Sequence, residues 1–229
     1  MKYSNQERML VAVDSIIIGF DGNEYKILLI QRGFAPEKEK WSLMGGFVQK
    51  NESLDDAASR ILDQLTGLKN VYLEQLHSFG KPNRDPIERV IAVTYMALID
   101  IQQYEQQINN DFHARWFPIN QLPKLIFDHE EMIDMALMKL RYKATLHPVL
   151  FELLPDKFTI PQLITMYEGL FATEIDKRNF SRKILSSDLL IKENEKDKSS
   201  SKRGAFYFRL NRETYKKNFQ RIHNFLPKN

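Results

Sequence analysis

The chain has 229 residues, which at ~150 residues per domain means one full domain and part of another. Hydrophobic residues make up 43% and charged residues 28%, values that exclude a disordered chain. The absence of Cys excludes a disulfide scaffold, a thiolate zinc site and a cysteine nucleophile.

No apolar run approaches the ~18–20 residues that span a bilayer. The opening MKYSNQERML has no apolar signal-peptide region. The expected location is cytoplasmic, with no membrane partner. The net charge of +3 hides a split. Residues 1–150 hold 17 Lys and Arg against 20 Asp and Glu, whereas residues 151–229 hold 16 against 10. The basic excess lies after Asp176. Two modules with different partners are expected, the second one facing phosphate.

In chain order, Leu10–Phe20 is rich in β-branched residues and reads as a buried strand. Asp21-Gly22 signals a hairpin, and Tyr25–Gln31 is the return strand. WSLMGGFVQKNES (41–53) reads as a glycine-containing loop. Leu54, Ala57, Ala58, Ile61, Leu62 and Leu65 have helical spacing, and Gly67 sits where a C′ glycine belongs. Residues 71–79 read as a strand, KPNRDPIER as a charged loop, 90–100 as the best strand and 112–118 as a shorter one. A helix is expected over about 130–143.

The second module is expected to start near Phe151. Thr159 with Gln162 fits a capping box. Ile160, Leu163, Tyr167, Leu170 and Phe171 form the apolar stripe of that helix. Asp176 reads as the N-cap of a second helix running to about Ser187. LLIKEN and AFYFRL then flank a Ser/Lys/Arg/Gly tip as a long hairpin. Helix, turn, helix, hairpin is the order of a winged helix-turn-helix.

Two regions carry chemistry. In DKRNFSRKILSS, Phe180 and Ile184 should face the core and Arg178 and Arg182 the opposite side. Lys177, Asn179, Ser181 and Lys183 fill the flanks. Such a face suits the DNA major groove, although solvated charge runs look similar. The hairpin tip adds Lys198, Lys202 and Arg203 for phosphate or minor-groove contact.

The other region is Gly46 to Leu68. It resembles the Nudix box, G-x5-E-x7-R-E-U-x-E-E-x-G-U with U apolar. Gly46, Glu52, Arg60, Leu62, Gly67 and Leu68 are in register. Where the family places metal-binding Glu, this chain has Ile61, Gln64 and Leu65. Mg²⁺ wants oxygen ligands, so no metal and no cofactor are expected. Asp55 and Asp56 read as solvated acids of the first turn, and Glu52 as a structural partner of Arg60. A pocket kept for binding would use Trp41 as an aromatic platform, Gly45 and Gly46 for close backbone approach, and Arg84, Asp85 and Arg89 for phosphate or sugar hydroxyls. Trp41 also fits a core role, and Arg84 and Arg89 a surface role.

Together the halves resemble Nudix-related bacterial transcription regulators, and WSLMGGFVQKNES, RDPIERVIAVTYMALI, LIFDH, FELLPDKFT and DKRNF are most similar to the arabinose-responsive branch. The resemblance implies an α+β chain: a Nudix-type α/β/α sandwich over 1–150, then a winged helix-turn-helix over 151–229. It implies a homodimer on a double-stranded DNA operator, repressing sugar (arabinose or pentose) catabolism genes and answering to a sugar or nucleotide-sugar effector. The alternative is a metal-dependent Nudix hydrolase acting on ADP-ribose or a related nucleoside diphosphate sugar.

Overall fold

The structure is a computed structural model that describes residues 6–104, 108, 113–198 and 203–223, with side chains described through 217. The chain divides into two compact units. One is Met1–Gly19 with Lys26–Lys139; the other is Phe20–Tyr25 with Leu140–Asn229. The boundary expected at 150/151 falls inside the second unit.

In the first unit, β1 (Leu10–Phe20) and β2 (Tyr25–Gln31) are the expected strands. β6 (Val90–Asp100) lies beside β1 and is buried on both faces, as its apolar run requires. The sheet order is β3 (Trp41–Ser42), β2, β1, β6, β5 (Glu74–Phe79), with β4 (Met44–Phe47) also paired to β1 and β7 (Arg115–Pro118) to β2. The segment read as a glycine loop forms two short strands, β3 (Trp41–Ser42) and β4 (Met44–Phe47). Pairing makes them: Gly45 sits opposite Asp14 and Gly46 opposite Val13 on β1.

β5 covers Glu74–Phe79 only. Val71 and Leu73 pack against the core from extended chain ahead of its first pair, Glu74 with Met96. β7 is Arg115–Pro118; residue 112, where it was expected to start, lies outside the described residues.

Helix α1 (Leu54–Thr66) opens on a Ser53–Asp56 capping box and closes on Gly67 at φ 78°. Its apolar stripe packs Ala57, Ala58 and Ile61 on Val13, Val93 and Tyr95. The short α2 (Ile101–Tyr104) follows β6 directly. The long α3 (His129–Leu146) exceeds its expected range by one residue at its start and three at its end. It begins beside Asp14, whose side chain alternates with Val13 and so leaves the other face of β1. Helices on both faces of the sheet complete the α/β/α sandwich.

In the second unit a 3-10 helix (Val149–Leu153) precedes β8 (Phe158–Thr159) and α4 (Ile160–Phe171). The Thr159–Gln162 capping box is present. Helix α5 (Lys177–Leu185) starts on Asp176, whose carboxylate accepts the Arg178 and Asn179 N–H groups. The hairpin is β9 (Leu190–Asp197) and β10 (Ala205–Leu210), and β8 completes a sheet of order β8-β10-β9. A helix not foreseen from sequence, α6 (Arg212–His223), follows. The β1–β2 turn also belongs to this unit. There the buried Tyr25 packs on α4, where a Cβ at Gly169 would lie 3.4 Å from its ring.

Candidate effector pocket and nucleic-acid interface

The box region of the first unit is a structural brace. Glu52 accepts two hydrogen bonds from Arg60, at 2.8 Å from Nε and 2.5 Å from Nη2, and one from the Gln49 N–H at 2.7 Å. Those donors, Arg60 foremost, hold the Glu52 carboxyl down at about 2. Arg60 also reaches the Phe47 carbonyl at 3.2 Å, tying α1 to β4.

The positions where the family carries metal-binding Glu are occupied otherwise. Ile61 is 3% exposed and lies so close under β4 that a Cβ on Gly46 would sit 2.8 Å from its Cδ1. Leu65 packs against the same core. Gln64 accepts from Arg60 Nη1 at 3.2 Å.

The neighbouring carboxylates have other partners. Asp55 accepts from the Tyr95 hydroxyl at 2.5 Å, Asp56 caps α1, and Asp63 lies 3.7 Å from Lys69. Among the described residues, no three His, Asp or Glu gather as a metal site. This donor set does not fit Mg²⁺, which needs several oxygen ligands near 2.1 Å.

Across β1 from Ile61 lies a buried polar cluster of which the sequence singled out only Arg84. Asp14, Arg84, Asp128 and His129 meet there. Arg84, its side chain 3% exposed, grips Asp128 in a bidentate pair at 2.9 and 2.8 Å. His129 Nδ1 accepts the Leu43 N–H at 3.1 Å, so the ring proton is on Nε2, directed at Asp14 Oδ1 3.9 Å away. Gly45 covers Asp14 so closely that a Cβ there would lie 2.1 Å from Oδ1. Burial pushes the Asp14 carboxyl up, against the pull of His129 and Arg84. The signals were a lone charge in an otherwise apolar strand and a histidine opening a helix.

Trp41, Asp85 and Arg89, also expected at the effector site, have partners of their own. Trp41 is half-buried, with its ring edge-on to Phe117 at 4.7 Å. Asp85 caps its own loop by accepting the Ile87 N–H at 2.8 Å. Arg89 pins the loop through the Gly80 and Lys81 carbonyls. Arg84 is inside the protein, not on its surface.

Burial also holds the His129 imidazole below its usual 6.5; Asp14 and Asp128 oppose this, while Arg84 and Arg32 reinforce it. Below pH 6.5 the unfolded chain therefore takes up a proton that the folded state refuses, and stability falls as pH drops. Asp14 acts in the opposite sense above 3.8, so the comparison must be between proteins that both retain it. His129→Asn keeps an acceptor near the Leu43 N–H. Its melting temperature is expected to fall less than that of wild type between about pH 7.5 and about pH 5.5; equal slopes would contradict this assignment.

In the second unit, Lys177, Arg178, Arg182 and Lys183 of α5 are exposed, and Asn179 and Ser181 are half-buried. Asn179 accepts from Arg182 Nη2 at 2.8 Å, and Ser181 donates to the Lys177 carbonyl at 2.6 Å. Phe180 turns inward to the Tyr167 ring, at 5.4 Å. Burial pushes the Tyr167 hydroxyl up to about 12. That aromatic contact sets the helix orientation, so the cations point outward.

On the hairpin, Arg203 is exposed and Gly204 turns the chain at φ 66°. Lys202 lies outside the described residues. The hairpin adds two cations that sequence reading overlooked. Lys192 and Lys196 sit 3.7 and 4.4 Å from the Phe206 ring centre. Their signal was an i, i+4 pair of Lys opposite an aromatic strand.

An α/β/α sandwich with a brace-like box, joined to a winged helix with a cationic helix, defines a DNA-binding regulator built on a Nudix domain. Comparison with known proteins agrees: the NUDIX domain family matches residues 9–136 and the NrtR DNA-binding winged helix domain family residues 150–210. The chain belongs to the NrtR family of transcriptional regulators.

It is 35% identical over 217 residues to the ADPR responsive transcriptional repressor NtrR of Acinetobacter baylyi, covering 93% of this chain and 86% of that protein. It is 37% identical over 133 residues to an ADP-ribose pyrophosphatase of Methanocaldococcus jannaschii, covering 58% of this chain and 75% of that one. The crystal structure of Shewanella oneidensis NrtR with a 27mer DNA superposes with a TM-score of 0.77 at 30% identity, over 90% of this chain and 95% of that one. The Nudix domain of the same protein, crystallised with ADP ribose, gives 0.52 at 30% identity over 61% and 94%. The expected arabinose-responsive branch gains no support from these relatives, which are described by ADP-ribose instead.

Proposed function

We propose that the chain is a cytoplasmic, homodimeric repressor whose Nudix domain binds ADP-ribose or a closely related nucleotide sugar without hydrolysing it. One observation carries the reading: Ile61 and Leu65 fill, as core side chains, the positions where metal-binding carboxylates would stand. The near full-length likeness to an ADPR responsive repressor supports the effector. The binding pocket is proposed to draw on Trp41, Gly45, Gly46, Arg84, Asp85 and Arg89.

Lys177, Arg178, Asn179, Ser181, Arg182 and Lys183 are the proposed operator contacts, with Lys202 and Arg203 on the hairpin. Two copies suit this role because each α5 reads one half-site. The effector acts through unequal affinity for the DNA-competent and DNA-incompetent states.

The likeness to an ADP-ribose pyrophosphatase favours the hydrolase as second reading. Saturating ADP-ribose is expected to raise the melting temperature, and with Mg²⁺ or Mn²⁺ present no AMP or ribose phosphate should form. Turnover that Glu52→Gln abolishes would establish the hydrolase instead.

A further inference from the structure

In the last turn of α4, the consecutive residues Tyr167, Glu168, Gly169 and Leu170 each hold a different segment of the second unit. The Tyr167 ring lies 5.4 Å from Phe180 of α5. The Glu168 carboxylate accepts the Ile175 N–H at 3.0 Å, in the turn that leads to α5. Gly169 faces Tyr25, whose ring a Cβ there would meet at 3.4 Å. The Leu170 carbonyl accepts from Arg141 Nε at 2.8 Å.

The first two contacts support α5, which has no buried residue of its own. The other two come from chain that has just left the first unit. The chain passes between the units at Gly19/Phe20, Tyr25/Lys26 and Lys139/Leu140. Every passage therefore lies on the β1–β2 hairpin or on α3, and each of these elements touches α4 right at its crossing.

Both contacts have a local reason. A glycine inside a helix costs stability relative to alanine, and here it presents no side chain to the Tyr25 ring. Tyr25 is 2% exposed and its hydroxyl has no hydrogen-bond partner among the described residues, so the ring alone makes the contact. The Leu170 carbonyl belongs to the end of α4, where intrahelical donors run out and a guanidinium suits the negative pole.

Within the first unit the same two elements meet at the buried cluster. Asp14 of β1 and His129 at the start of α3 lie 3.9 Å apart, and Arg84 stands beside Asp14 and Asp128. A change that moves β1 against α3 reaches α4 at neighbouring residues, and α4 supports α5.

We infer that Tyr167–Leu170 of α4 is the junction that couples the sandwich to the DNA-reading helix, with Tyr25 and Arg141 as its input contacts. Under the function proposed above, on which this rests, the signal is ADP-ribose.

Anisotropy titrations of DNA with the full chain, with and without saturating ADP-ribose, would compare wild type with Arg141→Ala, Tyr25→Ala and Tyr25→Phe. Arg141 is exposed, so its variant remains readable even where Tyr25→Ala does not fold. In wild type, ADP-ribose is expected to weaken DNA binding roughly 5- to 150-fold. Arg141→Ala and Tyr25→Ala are expected to shrink that factor about 2- to 30-fold, with unchanged ADP-ribose affinity in the absence of DNA. Tyr25→Phe keeps the ring and is expected to keep the wild-type factor. An undiminished factor in Arg141→Ala would overturn the junction, as would a loss of ADP-ribose affinity in its place.

Hydrogen exchange of the ligand-free protein separates the junction from the effector. Arg141→Ala is expected to speed exchange in α5 as well as in the last turn of α4, and to leave α1 unchanged. A wild type whose DNA binding ignores ADP-ribose, with this spread into α5, would overturn the proposed effector and uphold the junction. The same wild type without the spread would overturn both.

Discussion

Replacing Arg178 or Arg182 with Ala is expected to weaken operator binding by about 1–3 kcal/mol each, roughly 5- to 150-fold. Both side chains are exposed on α5, while Phe180 anchors the opposite side on Tyr167. An arginine on a base edge loses affinity selectively for the specific site. One on a phosphate loses it for all sequences and lowers the salt dependence by about one counterion. Anisotropy titrations with operator and scrambled DNA at several salt concentrations separate the two. The melting temperature should hold, because α5 has no buried residue. Unchanged affinity in both variants would remove α5 from the interface.

The largest stability effect is expected at Arg84. Its guanidinium is 3% exposed and neutralises Asp128, with Asp14 close by. Arg84→Ala leaves Asp128 without its bidentate partner and removes a cation from beside the buried Asp14, and should cost about 3–5 kcal/mol. For a chain of this size that is roughly 6–20 °C in melting temperature. Arg89→Ala, which breaks only hydrogen bonds to the backbone carbonyls of Gly80, Lys81 and Val90, should cost about 1 kcal/mol. Thermal or urea unfolding of both variants ranks them. Equal losses would mean that the buried pair contributes no more than a surface hydrogen bond.

Most of the architecture was legible because it is written in periodicity and caps. The stripe from Leu54 to Leu65, the Thr159 and Asp176 caps and the Gly67 stop are local signals, and each appears in place. β3 and β4 were not legible because Trp41–Phe47, with two glycines, has little strand propensity of its own; its partners β1 and β2 extend it. α6 was missed for a similar reason: RETYKKNFQRIH is too polar to show a strong stripe.

At the site, helix spacing alone showed that Ile61, Gln64 and Leu65 share one face. It did not show that Ile61 would seat under Gly46. The Asp14 cluster joins residues more than 100 positions apart, from the first strand to the start of α3. Nothing local marks that meeting, although a charge inside LVAVDSIIIGF is a conflict that asks for a buried partner.

The most direct measurement is the affinity of the full chain for the DNA upstream of its own gene, with and without ADP-ribose, while chromatography follows the nucleotide. The expected result is tight, sequence-specific binding that ADP-ribose weakens roughly 5- to 150-fold while staying intact. Specific DNA binding indifferent to ADP-ribose, or release that occurs only as ADP-ribose is cleaved, would contradict the account.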